Sequence, residues 1–140
     1  MDVINDQNCF VCSKTNPIGI RANFSIDYQH KKSYAKLTLS HNYQGWHGIA
    51  HGGIVATLLD EAIAYACGAM TATGLTVELN IRYKEKVPTE KEIEIFGEVI
   101  EVKRKLMYAK SYIKMDGKIL AEGNGKIFAY SDTPFIPVNV

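Results

Sequence analysis

His51-Gly52-Gly53 heads an apolar run that carries two adjacent carboxylates, Asp60 and Glu61, near its centre. Two glycines where a loop becomes a helix let a ligand approach the backbone, because no Cβ intervenes. The first-turn N–H groups lack intrahelical acceptors and lie at the positive end of the helix dipole. They can hold an anion, or a carbonyl oxygen that is becoming one. Asp60 sits among Ile54, Val55, Leu58, Leu59, Ala62, Ile63 and Ala66. A charge in such company is costly unless it is paired, hydrogen-bonded or wet. The bland explanation is a narrow solvated stripe; the sharper one is a functional acid. Adjacent helical residues point about 100° apart, so at most one of the two acids faces a given narrow stripe. Asp60 is the candidate general base or nucleophile. Glu61 reads as a charged rim residue or a partner for a nearby cation.

Spacing constrains how these groups can cooperate. Gly52 and Asp60 are eight residues apart, or roughly 12 Å along a helix rising about 1.5 Å per residue. Reacting groups must approach to about 3–3.5 Å. A second copy packed antiparallel about a two-fold axis would set each helix start beside the other chain's Asp60. The expectation is therefore a homodimer with shared sites, with a dimer of dimers also open.

The elements that must position these residues follow from periodicity. Residues 1–19 form an irregular lead-in ending in a Pro-Gly turn. Ala22, Phe24, Ile26 and Tyr28 alternate with polar neighbours, as do Ala35, Leu37 and Leu39, giving two strands around a turn at His30-Lys31-Lys32. The helix follows. Val77, Leu79, Ile81 and Tyr83 then predict a strand whose polar face carries Thr76, Glu78 and Asn80. Only a bulge at the strand start would turn Thr76 inward. From Ile93 to Val102 the phase shifts, which predicts a bulge. Asp116-Gly117 is a two-residue hairpin signal. The order is ββ–α–ββββ, one α+β domain over 1–140, with an antiparallel sheet curled around a helix too apolar for the surface.

The chain has 140 residues, 46% hydrophobic and 22% charged, with a formal net charge of +1. That balance supports a packed core and carries no global basic field for nucleic acid or an anionic membrane. No secretory leader is visible, and the apolar run from Ile54 to Met70 is too short and too acidic to span a bilayer. A cytoplasmic protein is expected. Cys9, Cys12 and Cys67 are an odd number, which argues against a disulfide framework. Cys9 and Cys12 form C-x-x-C, but no second C-x-x-C or H-x-x-x-H completes a zinc set. The expectation is no metal and no cofactor. Cys67, Tyr65 and Met70 read as core, and His41 and His47 as incidental loop residues.

HGGIVATLLDEA, preceded by QGWHGIA, resembles the signature of hotdog-fold thioesterases of the PaaI-like, phenylacetate-degradation type. The lead-in NCFVCSKTNPIGI and the ending KRKLMYAKSYIKMDGKILAEGNGKIF resemble one subgroup of them, with Ser13 replacing a Gly. The resemblance implies hydrolysis of an acyl-CoA thioester by a homodimer. It implies that Gly52 polarises the thioester carbonyl with Gly53 close by, that His51 helps hold the thioester, that Asp60 is the catalytic carboxylate and that Thr76 positions water. Some members carry an Asn six residues before the motif histidine. Here that position is Gly45, and Gln44 is the candidate substitute. CoA phosphates call for cations, for which Arg82, Lys84, Lys103, Arg104 and Lys105 are candidates. A hotdog hydratase or dehydratase and a non-catalytic acyl-CoA-binding module are the competing readings.

Overall fold

A computed structural model describes residues 1–137. Its elements are β1 (Ser25–Asp27), β2 (Lys32–Thr38), a 3₁₀ turn (His41–Tyr43), α1 (Gly52–Cys67), β3 (Gly74–Tyr83), β4 (Glu92–Lys103), β5 (Leu106–Met115) and β6 (Lys118–Ala129). All strand pairs are antiparallel and form one sheet in the order β1-β2-β4-β5-β6-β3. This is the α+β hotdog architecture expected, with α1 laid across the concave face. Among the described residues, no helix is long and apolar enough to cross a membrane.

The sheet curls around α1 because that helix has apolar residues on most of its circumference. Val55, Leu58, Leu59, Ala62, Ile63, Tyr65, Ala66 and Cys67 are all buried. A helix that is hydrophobic nearly all round must be covered. Alternating residues of the central strands supply the cover: Ile93 and Ile95 from β4, Met107 and Ile113 from β5, Ala121 and Ile127 from β6. Where the helix crosses, the sheet presents a row of small residues. Ser33 pairs with Gly97, Gly97 with Ser111, and Ser111 with Gly123. A Cβ added at Gly97 would collide with the Ala62 carbonyl. Ser33 Oγ donates to that same carbonyl at 2.6 Å.

Two β-bulges shape the sheet. One lies in β4 between Val99 and Glu101, where the sequence phase shift predicted it. The other lies in β3 between Thr76 and Glu78, leaving Val77 as the extra residue, 59% exposed rather than in the buried row. The Asp116-Gly117 turn has φ of 52° and 76°, the left-handed pair that a tight hairpin requires.

The first strand differs from its expectation. Only Ser25–Asp27 is strand. Ile20 N–H and Ala22 N–H instead donate to the carbonyls of Phe10 and Val11, at 2.9 and 2.8 Å. The lead-in thus takes the hydrogen bonds that an early strand would have used, and Val11, Ala22 and Phe24 are buried together.

These contacts generate a paired expectation. Gly97→Ala should lose about 1–3 kcal/mol of stability through overpacking against α1. Ser111 Oγ is buried and has no hydrogen-bond partner among the described residues, so Ser111→Ala should be neutral or stabilising. Urea unfolding of both variants checks this.

Candidate active site

The loop ahead of α1 is pinned so that His51 closes it. His51 N–H donates to the Tyr43 carbonyl at 2.9 Å, Ala50 N–H to Val87 at 2.8 Å and Gly45 N–H to Ile49 at 2.9 Å. His51 then caps the helix, its Nδ1 accepting from Gly53 N–H at 2.9 Å. Ile54 and Val55 N–H both donate to the His51 carbonyl, at 2.9 and 3.0 Å. This leaves Gly52 N–H as the first-turn amide with no acceptor among the described residues.

The two glycines separate physically. A Cβ at Gly53 would lie 3.1 Å from His51 Nδ1 and crowd the cap. A Cβ at Gly52 would meet only the Tyr83 ring, at ordinary contact distance. Tyr83 Oη in turn donates to the Gly52 carbonyl at 2.7 Å. Tyr83 fixes the exposed helix start from β3, a role that strand alternation alone gave no reason to assign.

Gln44 stands beside this helix start. Asn42, Tyr43, Gln44, His51, Gly53 and Thr57 line an open groove of about 390 Å³. Gln44 Oε1 accepts from Gly48 N–H at 3.1 Å, so its carbonyl is spent on the loop. Asn42, which the sequence did not single out, brings a second amide to the same groove. The 3₁₀ turn places it there, a local conformation that motif spacing does not reveal.

Asp60 lies two turns along α1, where the sheet ends at β3. Thr76 Oγ1 donates to Asp60 Oδ1 at 2.7 Å. The bulge at Val77 makes this bond possible. Thr76 pairs with the buried Ile127 and so faces the helix, while Glu78 pairs with Lys126 on the outer face.

The five candidate cations do not converge within one chain. Arg82 and Lys84 stand at the Tyr83 end of β3, with Lys84 Nζ 3.4 Å from Glu122. Lys103, Arg104 and Lys105 form the β4–β5 turn, with Lys103 Nζ 3.6 Å from Glu101. That turn lies at the other end of the sheet, since Leu106 pairs with Phe128 and Phe128 with Leu75.

Glu61 corrects the sequence reading. It is no rim residue but lies beneath the lead-in, its Oε2 3.4 Å from Cys9 Sγ. Burial first, then the charge and hydrogen bond of Cys9, push its carboxyl up to about 9. Cys9 moves the other way, lowered to about 5 by hydrogen bonds from Cys12 foremost. Backbone N–H groups on the sulfur favour the thiolate, and burial favours the neutral acid, so the proton between them belongs to Glu61. Cys9, Cys12 and Glu61 are the group of side chains here able to hold a metal ion.

Residues 47–118 match the family model described as Thioesterase superfamily. The chain belongs to this superfamily. The match takes in His51, Gly52, Gly53, Asp60 and Thr76 and leaves out the lead-in. Acyl-coenzyme A thioesterase 13 of Mus musculus is 32% identical over 80 residues, covering 54% of this chain and 57% of that protein. The chain thus spans little more than half the length of this curated relative. Among solved structures, a thioesterase superfamily protein superimposes with a TM-score of 0.80 at 23% identity, covering 88% of this chain and 60% of that one. The E. coli PaaI protein superimposes with a TM-score of 0.68 at 19% identity, covering 75% and 77%. At such identities these structural likenesses establish the hotdog fold.

The raised Glu61 carboxyl has a stability consequence of definite sign. Its ordinary value is 4.5 and its folded value about 9. The stabilising protonated form is fully held below about pH 4.5, and that stability is lost as pH rises toward 9. With a chelator present, Glu61→Gln should melt increasingly above the wild type across that range. Thermal melts at stepped pH check it.

Proposed function

We propose that the protein hydrolyses an acyl-CoA thioester to the free acid and CoA, at sites composed across a two-fold dimer. The observation that carries this reading is the Asp60–Thr76 pair at the sheet edge, on the helix whose Gly52 amide is unclaimed. The carboxylate and the amide are the two parts of a thioester hydrolase, separated by two helical turns. Antiparallel pairing of a second copy supplies what one chain lacks.

The edge suits such pairing. β3 is the last strand of the sheet, and Leu75, Val77 and Tyr83 are 42%, 59% and 53% exposed on it. An unpaired strand edge with apolar side chains is a template for a second chain. Antiparallel pairing there brings the Tyr83 end of one β3 toward the Gly74 end of the other. It also gathers the two separated cation groups, Arg82 with Lys84 and Lys103 to Lys105, around each composite site, where CoA phosphates would bind.

In the reaction, the Gly52 amide of one protomer accepts the thioester carbonyl oxygen, aided by the positive end of the helix dipole. Asp60 of the other takes a proton from water as the water oxygen adds to the carbonyl carbon. The C–S bond then breaks, and the proton passes to the departing CoA sulfur. The alternative is direct attack by Asp60 and hydrolysis of the resulting anhydride. Single-turnover reaction in isotopically labelled water separates the two, because attack leaves label on the protein. Thr76 holds one carboxylate oxygen in either course. The three cysteines are free thiols, which favours a reducing compartment and the cytoplasm.

The test uses two inactivating variants. Asp60→Asn should abolish thiol release from acyl-CoA, and Glu61→Gln should retain more activity than Asp60→Asn. Gly52→Pro removes the single amide and suits a first helical position, and His51 already has φ of −57° and ψ of 136°, which a following proline accepts. Its rate should fall by about 10²–10³. Mixed subunits of Asp60→Asn and Gly52→Pro should regain about a quarter of wild-type activity, since half the dimers carry one intact composite site. No recovery would end the shared-site reading. Loss of alkene absorbance from enoyl-CoA without thiol release would favour a hydratase, and tight binding of acyl-CoA with neither signal a binding module.

A further inference from the structure

The lead-in C-x-x-C offers half of a metal site in sequence, and the fold supplies a third ligand from the central helix. Cys9 Sγ, Cys12 Sγ and a Glu61 oxygen all lie within 4.8 Å of one another. Cys9 Sγ and Glu61 Oε2 are 3.4 Å apart. Around tetrahedral zinc, with Zn–S about 2.3 Å and Zn–O about 2.1 Å, neighbouring ligand atoms stand about 3.6–3.8 Å apart. The widest gap among the three therefore has to close by at most about 1 Å.

The turn is also built to hold a thiolate. Val11 N–H and Cys12 N–H donate to Cys9 Sγ at 3.3 and 3.4 Å. Ser13 N–H closes the turn on the Cys9 carbonyl at 3.1 Å. Amides directed at the sulfur are the outer shell that orients and charges a metal-binding cysteine. A cavity of about 180 Å³ borders Cys9, Cys12, Glu61 and Tyr65 and leaves room for a fourth ligand. Two thiolates select against calcium and magnesium and for zinc-like ions. A dithiol that served only as a redox pair would have no use for the carboxylate.

We propose that Cys9, Cys12 and Glu61 bind one thiophilic divalent cation of the zinc type, with water completing the tetrahedron, and that this cation clamps the lead-in to α1. Binding is not a redox step. Each ligand that holds a proton releases it to solvent as the metal–ligand bond forms. The clamp closes a chain loop between positions 52 apart in sequence, which restricts the unfolded chain as well as anchoring the folded one. It replaces the expectation of no metal, and it rests on lead-in residues outside the superfamily match.

The full-length chain, reduced and stripped with chelator, is titrated with Co²⁺ alone. One Co²⁺ should bind per chain with a thiolate-to-cobalt charge-transfer band in the near ultraviolet, and Zn²⁺ should displace it. Melting temperature should rise with free Zn²⁺. Cys9→Ser and Cys12→Ser should lose the band, Glu61→Gln should weaken Co²⁺ binding by at least about tenfold, and Cys67→Ser should keep it. The wild-type band and the Zn²⁺-dependent melt decide the matter even where a cysteine variant fails to fold. Absence of the sulfur band, or equal Co²⁺ affinity in a folded Cys9→Ser, would overturn the site. So would a protein that takes up no metal while mild oxidant joins Cys9 to Cys12. Metal uptake is read without substrate, so its outcome is independent of the thioesterase reading.

Discussion

One apolar helix has to be covered by one sheet, and the contact between them sets the rest of the molecule. The closest approach runs over Ser33, Gly97, Ser111 and Gly123, a row of small residues spanning four strands. Burial of Leu58, Leu59, Ala62 and Ile63 drives the contact, while the missing side chain at Gly97 and the Ser33–Ala62 hydrogen bond fix its depth. With the helix seated at that depth, its flank toward β3 is the side where the sheet runs out. Asp60 emerges there, and its charge stays in reach of a hydroxyl and of solvent instead of being entombed.

The same seating gives the two adjacent acids opposite environments. Asp60 turns to the sheet edge and meets Thr76. Glu61, about 100° around the helix, turns beneath the lead-in and meets Cys9. One polar flank serves the proposed chemistry, and the other anchors a segment that has no regular secondary structure of its own. The lead-in is held by Val11, Ile20 and Ala22 in the core and by backbone bonds to residues 20 and 22, so it behaves as part of the wall rather than as a tail.

Much of this was legible from residues alone. The helix, its polar interruptions and the order of strands follow from hydrophobic period, and the β4 bulge follows from a break in that period between Ile95 and Val102. The resemblance to hotdog thioesterases rested on HGG and the acid eight residues beyond its first glycine, and the superfamily match covers that stretch. Other features resisted reading. Val77 looked like a core position by alternation, yet it is the bulged residue, and its displacement turns Thr76 to Asp60. Ala22 and Phe24 looked like strand, yet the lead-in claims the backbone at Ala22 first. Asn42 and Tyr83 carry no motif and acquire meaning only from what the loop and edge strand place beside them.

By itself the sequence determined everything that depends on neighbours along the chain: the helix and its length, the turn at Asp116-Gly117, the cap at His51 and the fixed rise that separates Gly52 from Asp60. Tertiary structure decided which acid is buried, which way Thr76 points and that Glu61 meets two cysteines some fifty positions away. The physical reason is the range of the forces involved. Backbone dihedrals and side-chain period are settled within a few residues. Burial and a carboxyl's proton affinity depend on atoms that only packing brings together.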